Sequence, residues 1–158
     1  MSFSLPSTLA DGRHRYPVRV YYEDTDAGGI VYHASYLRFA ERARTEALRA
    51  LGVPHAELVG QHGLIFVVRR VKLDYVRPAG VDDSLTVVTE PVALGAASVA
   101  LRQVFVSQAG DGCTVLARGE IGLACVRIEG NRPARMPERW QAALGAMLAA
   151  GAARRNGG

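Results

Sequence analysis

A chain of 158 residues is long enough for one domain with a buried core. Hydrophobic residues make up 49% of it and charged residues 22%, an ordinary balance for a globular protein. The net charge of +4 comes from arginines spread along the chain, without the basic stripe that is typical of nucleic-acid binders. No stretch is apolar enough for long enough to suggest a membrane span. We therefore expect one globular domain with no nucleic-acid partner.

The cysteines and histidines give no sign of a metal or redox centre. Cys113 and Cys125 are the only two cysteines, and their spacing fits neither a zinc site nor a redox pair. The histidines lack ligand spacing, so we expect no bound metal ion, and we expect three of them at the surface: His14, His55 and His62. Because no secretory signal pattern is visible, we expect a cytoplasmic protein with reduced thiols.

The first predicted elements follow a flexible leader at residues 1–14. A strand rich in Tyr and Val is expected at 16–23, and a loop follows it. A helix is expected at about 34–51, ended by Gly52 and Pro54. Its apolar residues recur at helical spacing: Tyr36, Phe39, Ala40, Ala43, Ala47, Leu48 and Leu51.

The remaining chain is predicted to be mainly strand. Four strands are expected, at 64–75, 84–92, 98–106 and 113–128. A short helix begins at Pro137, and residues 151–158 are expected to be a flexible tail. At about 3.3 Å per residue the longest strands reach about 40 Å or more, so the sheet has to curl. The pattern predicts an α+β fold, an antiparallel five-stranded sheet wrapped around one long central helix, as a single domain at 15–150.

The loop before the helix combines residues that suit acyl transfer. Three carboxylates lie within residues 23–26, followed by Gly28 and Gly29, and then by His33 at the start of the helix. Glycine lets the backbone adopt positive φ or approach a ligand closely. Unpaired N–H groups at a helix start can stabilise negative charge that develops on an oxygen. The alternative is a polar turn in which the acids bond only their own backbone.

Several runs resemble the 4-hydroxybenzoyl-CoA thioesterase family. They are Tyr-Glu-Asp-Thr-Asp-Ala-Gly-Gly at 22–29, Glu-Arg-Ala-Arg-Thr-Glu at 41–46 and Phe-Val-Val-Arg at 66–69. More narrowly, they resemble the acyl-CoA thioesterases associated with the Tol-Pal envelope system of Gram-negative bacteria. The resemblance extends over about residues 15–138 and implies the hotdog fold, in agreement with the order of predicted elements.

The resemblance also implies roles for individual residues. Asp26 matches the catalytic carboxylate, which could act as a base on water or as a nucleophile that forms a mixed anhydride. His33 matches the histidine at the helix entrance, where its side chain or its backbone N–H could serve. Asp24 is expected to hold the loop. The predicted substrate-binding residues are Tyr22, Gly29, Ile30, Val31, Tyr32 and Arg77.

The expected function is hydrolysis of an acyl-CoA thioester, with acyl carrier protein as a second candidate donor and no separate cofactor. Arg77, Arg102 and Arg127 are candidate phosphate contacts, whereas Arg42 and Arg44 are expected on a solvated helix face. The resemblance implies a homodimer or homotetramer with active sites between protomers. The site of action would be the cytoplasm or the periphery of the inner membrane. Two alternatives remain, a non-catalytic adaptor that binds acyl-CoA or acyl carrier protein and a hotdog dehydratase acting on 3-hydroxyacyl thioesters.

Overall fold

One antiparallel sheet curls around a long helix, in a computed structural model that describes residues 8–107 and 113–157. The elements are, in chain order, β1 (Thr8–Ala10), β2 (Arg13–Arg19), α1 (Ser35–Ala50), α2 (His55–His62), β3 (Leu64–Tyr75), β4 (Ser84–Leu94), β5 (Ser98–Ser107), β6 (Thr114–Arg127) and α3 (Glu138–Asn156). The predicted α+β architecture is confirmed.

The strand order across the sheet is β1-β2-β4-β5-β6-β3, and each neighbouring pair is antiparallel. β3 lies at one edge and pairs with β6 along its length, with a bulge between Val68 and Arg70. The sheet has six strands where five were expected, because β1 adds a short strand beside β2. The first predicted strand is also shorter than expected, since β2 ends at Arg19 and residues 22–24 form a 3₁₀ turn.

The apolar stripe of α1 faces the sheet as its spacing predicts. Phe39 and Ala43 are fully buried, and they pack in one cluster with Val87 of β4 and Phe105 of β5. Each such side chain contributes about 1.5–3 kcal/mol when it leaves water. A second cluster fills the far end of the fold, where Trp140 of α3 packs with residues of α2, β3 and β6. Among the described residues, no helix is both long and apolar enough to cross a membrane.

The expected flexible leader is wrong for residues 8–14, and residues 1–7 lie outside the described residues. β1 and β2 form a hairpin joined by two residues, Asp11 and Gly12, which have φ of 57° and 76°. Two central residues with positive φ are the mark of a type I′ turn, for which Asp-Gly is a preferred pair. His14, expected at the surface, is fully buried in this hairpin. Burial lowers the pKa of His14 and favours its neutral form.

The expected flexible tail is also wrong for residues 151–156, because α3 continues to Asn156, and residue 158 lies outside the described part of the chain. A Cβ on Gly12 would lie 2.3 Å from the Gly151 nitrogen, so the hairpin turn and α3 meet backbone to backbone. Glu90 of β4 then holds the end of the helix. Its carboxylate is 2.7 Å from Arg154 and 3.3 Å from Arg155.

We expect Glu90→Gln to lower the free energy of unfolding by about 1–3 kcal/mol at pH 7, because it removes the charged acceptor of these hydrogen bonds. Burial opposes the ionised form, but Arg154 and Arg102 outweigh it and lower the pKa of Glu90 in the folded protein. The carboxylate therefore stabilises the fold above its unfolded pKa, and this is lost as the pH falls through the folded pKa. Urea denaturation should show the two proteins converging below about pH 4.

The matched control is Glu129→Gln, since Glu129 is exposed and forms no ion pair within residues 8–107 and 113–157. It should leave the unfolding free energy within about 0.5 kcal/mol of wild type. Equal losses in the two variants, or a Glu90 effect that persists unchanged in acid, would contradict the assignment.

Candidate active site

Asp24 fixes the loop that leads into α1. It is buried, and its carboxylate accepts a hydrogen bond of 2.9 Å from the Tyr21 N–H and lies 3.5 Å from Arg38. Its carbonyl accepts hydrogen bonds from the Tyr32 N–H at 2.9 Å and from the Ser35 hydroxyl at 3.1 Å. Asp24 thus joins the start of the loop to its end and has the structural position expected of it.

Asp26 lies in a tight turn whose conformation depends on Gly29. Its N–H donates to the Ile30 carbonyl at 2.9 Å, and the Gly29 N–H donates back to the Asp26 carbonyl at 3.0 Å. Gly29 has φ of 81°, a conformation that favours glycine. One carboxylate oxygen of Asp26 accepts a hydrogen bond from the Gly28 N–H at 2.9 Å. The side chain is exposed, so its other oxygen is open to a ligand.

The Asp26 turn is attached to the segment that follows β3. The Val31 N–H donates to the Ala79 carbonyl at 2.8 Å, and Ile30 forms an isolated antiparallel bridge with Gly80. These contacts bring the turn beside Arg77 and Pro78, almost fifty residues later in the chain. The loop before α1 therefore becomes one wall of a surface cleft.

The start of α1 presents backbone N–H groups without a side-chain cap. Ala34 occupies the N-cap position, and its methyl group cannot accept a hydrogen bond. Within the described part of the chain, the N–H of His33 has no hydrogen-bond acceptor. The His33 carbonyl is held instead, because it accepts a hydrogen bond of 2.8 Å from the Tyr75 hydroxyl. His33 is therefore held through its carbonyl, while its N–H, which belongs to the preceding peptide, has no acceptor among the described residues.

These groups converge on a cleft of about 420 Å³, here termed the Asp26 cleft. Its lining residues are Asp26, Ile30, Val31, His33, Tyr36, Tyr75, Val76, Arg77 and Pro78. The cleft thus combines a carboxylate, a helix start, a guanidinium and an apolar wall.

Two tyrosines form its aromatic floor. The ring centroid of Tyr36 lies 5.4 Å from that of Tyr75 and 5.1 Å from that of Phe105, both in edge-to-face contact. Burial raises the pKa of Tyr36, and the neighbouring Tyr75 adds to the effect, so the ring stays neutral. Tyr75 was missed by the sequence reasoning, whereas Tyr36 was identified only as a core residue of the helix.

The structure brings most of the predicted site residues together. Asp26, His33 and Arg77 line the same cleft, as do Ile30 and Val31. The other three predicted substrate-binding residues do not line the cleft: Tyr22, Gly29 and Tyr32. Tyr22 is 85% exposed.

The other candidate phosphate contacts do not belong to this cleft. Arg102 is engaged by Glu90 at 3.3 Å on a neighbouring strand. Arg127 pairs with Leu64, at the opposite end of β3 from Tyr75, about 36 Å away at 3.3 Å per residue. Within residues 8–107 and 113–157, no group of three or more His, Cys, Asp and Glu could hold a metal ion.

Comparison with known proteins finds relatives that are named as thioesterases. The family model of the thioesterase-like superfamily matches residues 20–144. The acyl-CoA thioesterase YbgC of Haemophilus influenzae is 40% identical over 136 residues, which cover 86% of this chain and 97% of that protein. The acyl-CoA thioester hydrolase YbgC of Escherichia coli O6:H1 is 42% identical over 124 residues, 78% of this chain and 90% of that protein.

Solved structures agree with the fold. A probable thioesterase from Bartonella henselae superimposes with a TM-score of 0.73 at 34% identity, covering 79% of this chain and 99% of that one. The DHNA-CoA thioesterase from Staphylococcus aureus gives a TM-score of 0.82 at 20% identity, covering 92% of this chain and 95% of that one. At this identity the likeness shows the fold alone. The expected hotdog fold and the resemblance to the Tol-Pal-associated acyl-CoA thioesterases are confirmed. The chain belongs to the thioesterase-like superfamily.

Proposed function

We propose that this protein is an acyl-CoA thioesterase that acts at the Asp26 cleft. The observation that carries the proposal is one cleft lined both by the exposed carboxylate of Asp26 and by His33, whose N–H finds no acceptor among the residues that the structure describes. The activities named for the YbgC relatives support the same reaction. A thioester is already an activated acyl group, so a positioned carboxylate and an oxyanion site suffice without a metal ion or redox cofactor.

In this mechanism the thioester carbonyl lies between Asp26 and the start of α1. Asp26 takes the proton of a water molecule as the water oxygen adds to the carbonyl carbon, or it attacks that carbon itself. The His33 N–H donates to the oxygen as negative charge develops on it. Collapse of the tetrahedral intermediate breaks the C–S bond, and the coenzyme A thiolate leaves and takes up a proton. In the nucleophilic route, water then hydrolyses the mixed anhydride.

The remaining lining residues would bind the substrate. Ile30 and Val31 offer apolar surface beside the reacting carbonyl, and Arg77 offers a planar guanidinium for a coenzyme A phosphate. Tyr22, Gly29 and Tyr32 do not line the cleft. Their contact with the coenzyme A portion of the substrate stays a prediction. Cys113 and Cys125 are free thiols, as is ordinary in a reducing compartment, and we place the activity in the cytoplasm.

The first test is thiol release with the wild-type protein and Asp26→Asn. Asparagine keeps the oxygen that accepts from the Gly28 N–H, so the turn should survive while the charge is lost. We expect kcat to fall by about 10²–10⁴-fold with little change in KM. Acyl-CoA substrates of several chain lengths, aliphatic and aromatic, should be compared with acyl carrier protein thioesters.

Glu23→Gln is the control, because Glu23 is an exposed carboxylate in the same loop that does not line the cleft. A folded Asp26→Asn protein that keeps more than about a tenth of wild-type kcat would rule out Asp26 as the catalytic carboxylate. A wild-type protein that binds acyl-CoA but releases no thiol would instead favour the adaptor.

Tyr75→Phe tests the oxyanion site, since it removes only the hydroxyl that holds the His33 carbonyl. We expect kcat to fall about 2–10-fold, the value of one ordinary hydrogen bond, with KM nearly unchanged. His33→Ala keeps the backbone N–H and should cost no more than this if the imidazole takes no part. Tyr21→Phe, at an exposed tyrosine outside the cleft, should have no effect. A Tyr75→Phe loss confined to KM would contradict the positioning role.

We also infer that the protein assembles as a dimer through β3, which is twelve residues long and whose outer edge pairs with no strand of residues 8–107 and 113–157. Val68 and Val71 are 48% and 41% exposed on this strand. A long edge strand with exposed apolar residues is a ready template for pairing with another strand. A second copy, added antiparallel about a two-fold axis, would satisfy both edges at once.

For the wild-type protein, light scattering should give the mass of a dimer or of a tetramer. Val71→Lys should shift the mass toward a monomer, because it places a charge in the paired edge. Val92→Lys is the control, since Val92 is 37% exposed but lies on the interior strand β4. A fully active monomeric wild type would exclude an active site that needs both protomers.

A further inference from the structure

Four arginines surround the carboxylate of Glu90 where the β1–β2 hairpin, the sheet and the end of α3 meet. They are here termed the arginine cluster: Arg13, Arg102, Arg154 and Arg155. Nitrogen atoms of the last three lie 3.3, 2.7 and 3.3 Å from the Glu90 oxygens. Arg13 lies near enough for its charge to interact with those of Arg154 and Glu90. Ionised Glu90 therefore offsets one of the four positive charges.

The described part of the chain supplies too few acceptors for these cations. The Nε of Arg13 and the Nη1 of Arg154 are shielded from solvent and have no hydrogen-bond partner there. Burial lowers the pKa of Arg13, and Arg154 and Arg15 lower it further, against the opposing charges of Glu90 and Asp11. A cation shielded from water is costly unless it is paired, and like charges at close range add to the cost. The junction thus has more positive charge than its own acceptors balance.

Two guanidinium groups of the cluster are open to a ligand. The side chains of Arg102 and Arg155 are 46% and 42% exposed. Each donates at 3.3 Å to a different oxygen of Glu90. Because these oxygens share one carbon through bonds of about 1.23 Å, the two donor nitrogens are at most about 9 Å apart. A guanidinium carries five N–H donors, so each arginine keeps donors for a second acceptor.

We propose that the arginine cluster binds a tetrahedral oxyanion, phosphate or sulfate, held between Arg102 and Arg155 beside Glu90. Guanidinium groups bind such oxygens through short, charge-assisted hydrogen bonds. The bound anion balances the positive charge that Glu90 leaves over. Since Arg155 belongs to α3 and Arg102 to β5, the anion also holds the end of the helix on the sheet. The dipole at a helix C-terminus opposes an anion, so binding depends on the guanidinium groups alone.

The arginine cluster is separate from the Asp26 cleft, and none of its members lines that cleft. Ser84 begins β4 four residues after Gly80, which forms the bridge with Ile30 of the Asp26 turn. Glu90 is six residues further along β4, which corresponds to about 20 Å. Binding of the oxyanion therefore does not depend on the proposed thioesterase reaction.

Isothermal titration calorimetry and thermal unfolding of the full-length protein test the proposal, with phosphate and sulfate titrated separately in a chloride buffer. We expect one oxyanion bound per protomer and a Tm that rises with its concentration. The ion that binds more tightly identifies the ligand. Potassium chloride at the same ionic strength should not reproduce the rise, because it screens charges without bridging two guanidinium groups.

Arg102→Gln and Arg155→Gln should each weaken the oxyanion about tenfold or more, since each removes donors to a charged acceptor. The control is Arg132→Gln, at an exposed arginine in the turn after β6, which should leave the affinity unchanged. Glu90→Gln should bind the oxyanion more tightly than wild type, because the competing carboxylate is gone. Arg102→Gln should leave thiol release unchanged, which separates this site from binding of the coenzyme A phosphates.

Equal rises in Tm for the wild type, Arg102→Gln and Arg155→Gln would show a general effect of these salts on protein stability and overturn the proposal. A rise that potassium chloride reproduces would overturn it equally. If Arg155→Gln disturbs the end of α3, Arg102→Gln decides the outcome, because Arg102 lies on the interior strand β5.

Discussion

The arrangement of the candidate site depends on one buried residue, Asp24. Its carboxylate holds the Tyr21 N–H at one end of the loop, while its carbonyl holds Tyr32 and Ser35 at the other. A buried carboxylate is tolerated only when hydrogen bonds and a cation compensate for lost water, and the loop N–H and Arg38 provide both. The Asp26 turn and the start of α1 are therefore fixed relative to each other before any substrate binds. Preorganisation of this kind is what an oxyanion site requires.

Elements with a strong local pattern were predicted from the sequence. The helical spacing of apolar residues gave α1 within one residue at each end, and β3 matches its prediction at 64–75. The β1–β2 hairpin was missed because β1 has only three residues, all exposed, and so carries no alternation. The Asp11-Gly12 pair was its one local sign. The C-terminal end of α3 is held by a hydrogen bond between Arg154 and Glu90, which lies sixty-four residues earlier in the chain. No local sequence pattern predicts such a contact.

The site was predicted as far as its residues share one loop. Asp26 and His33 are close in sequence, and a resemblance between motifs could identify both. Tyr75 is forty-two residues from His33, so its hydrogen bond arises only when β3 reaches the helix entrance. Arg44 follows Ala40 by four residues, a spacing that places it toward the sheet. Because Arg44 is charged, the sequence favoured a solvated position for it. The buried Gln103, whose side-chain oxygen accepts a hydrogen bond from Arg44, lies fifty-nine residues away.

The turn at Gly28 and Gly29 keeps one carboxylate oxygen of Asp26 bonded within its own loop. An aspartate close to an uncapped helix would ordinarily accept hydrogen bonds from its first N–H groups. In the Asp26 turn, the Gly28 N–H takes one carboxylate oxygen, and the positive φ of Gly29 directs the chain back toward Val31. The carboxylate makes no cap hydrogen bond to α1. Its negative charge and the His33 donor both remain available at the cleft that the two residues line, as addition to a carbonyl group bound there requires.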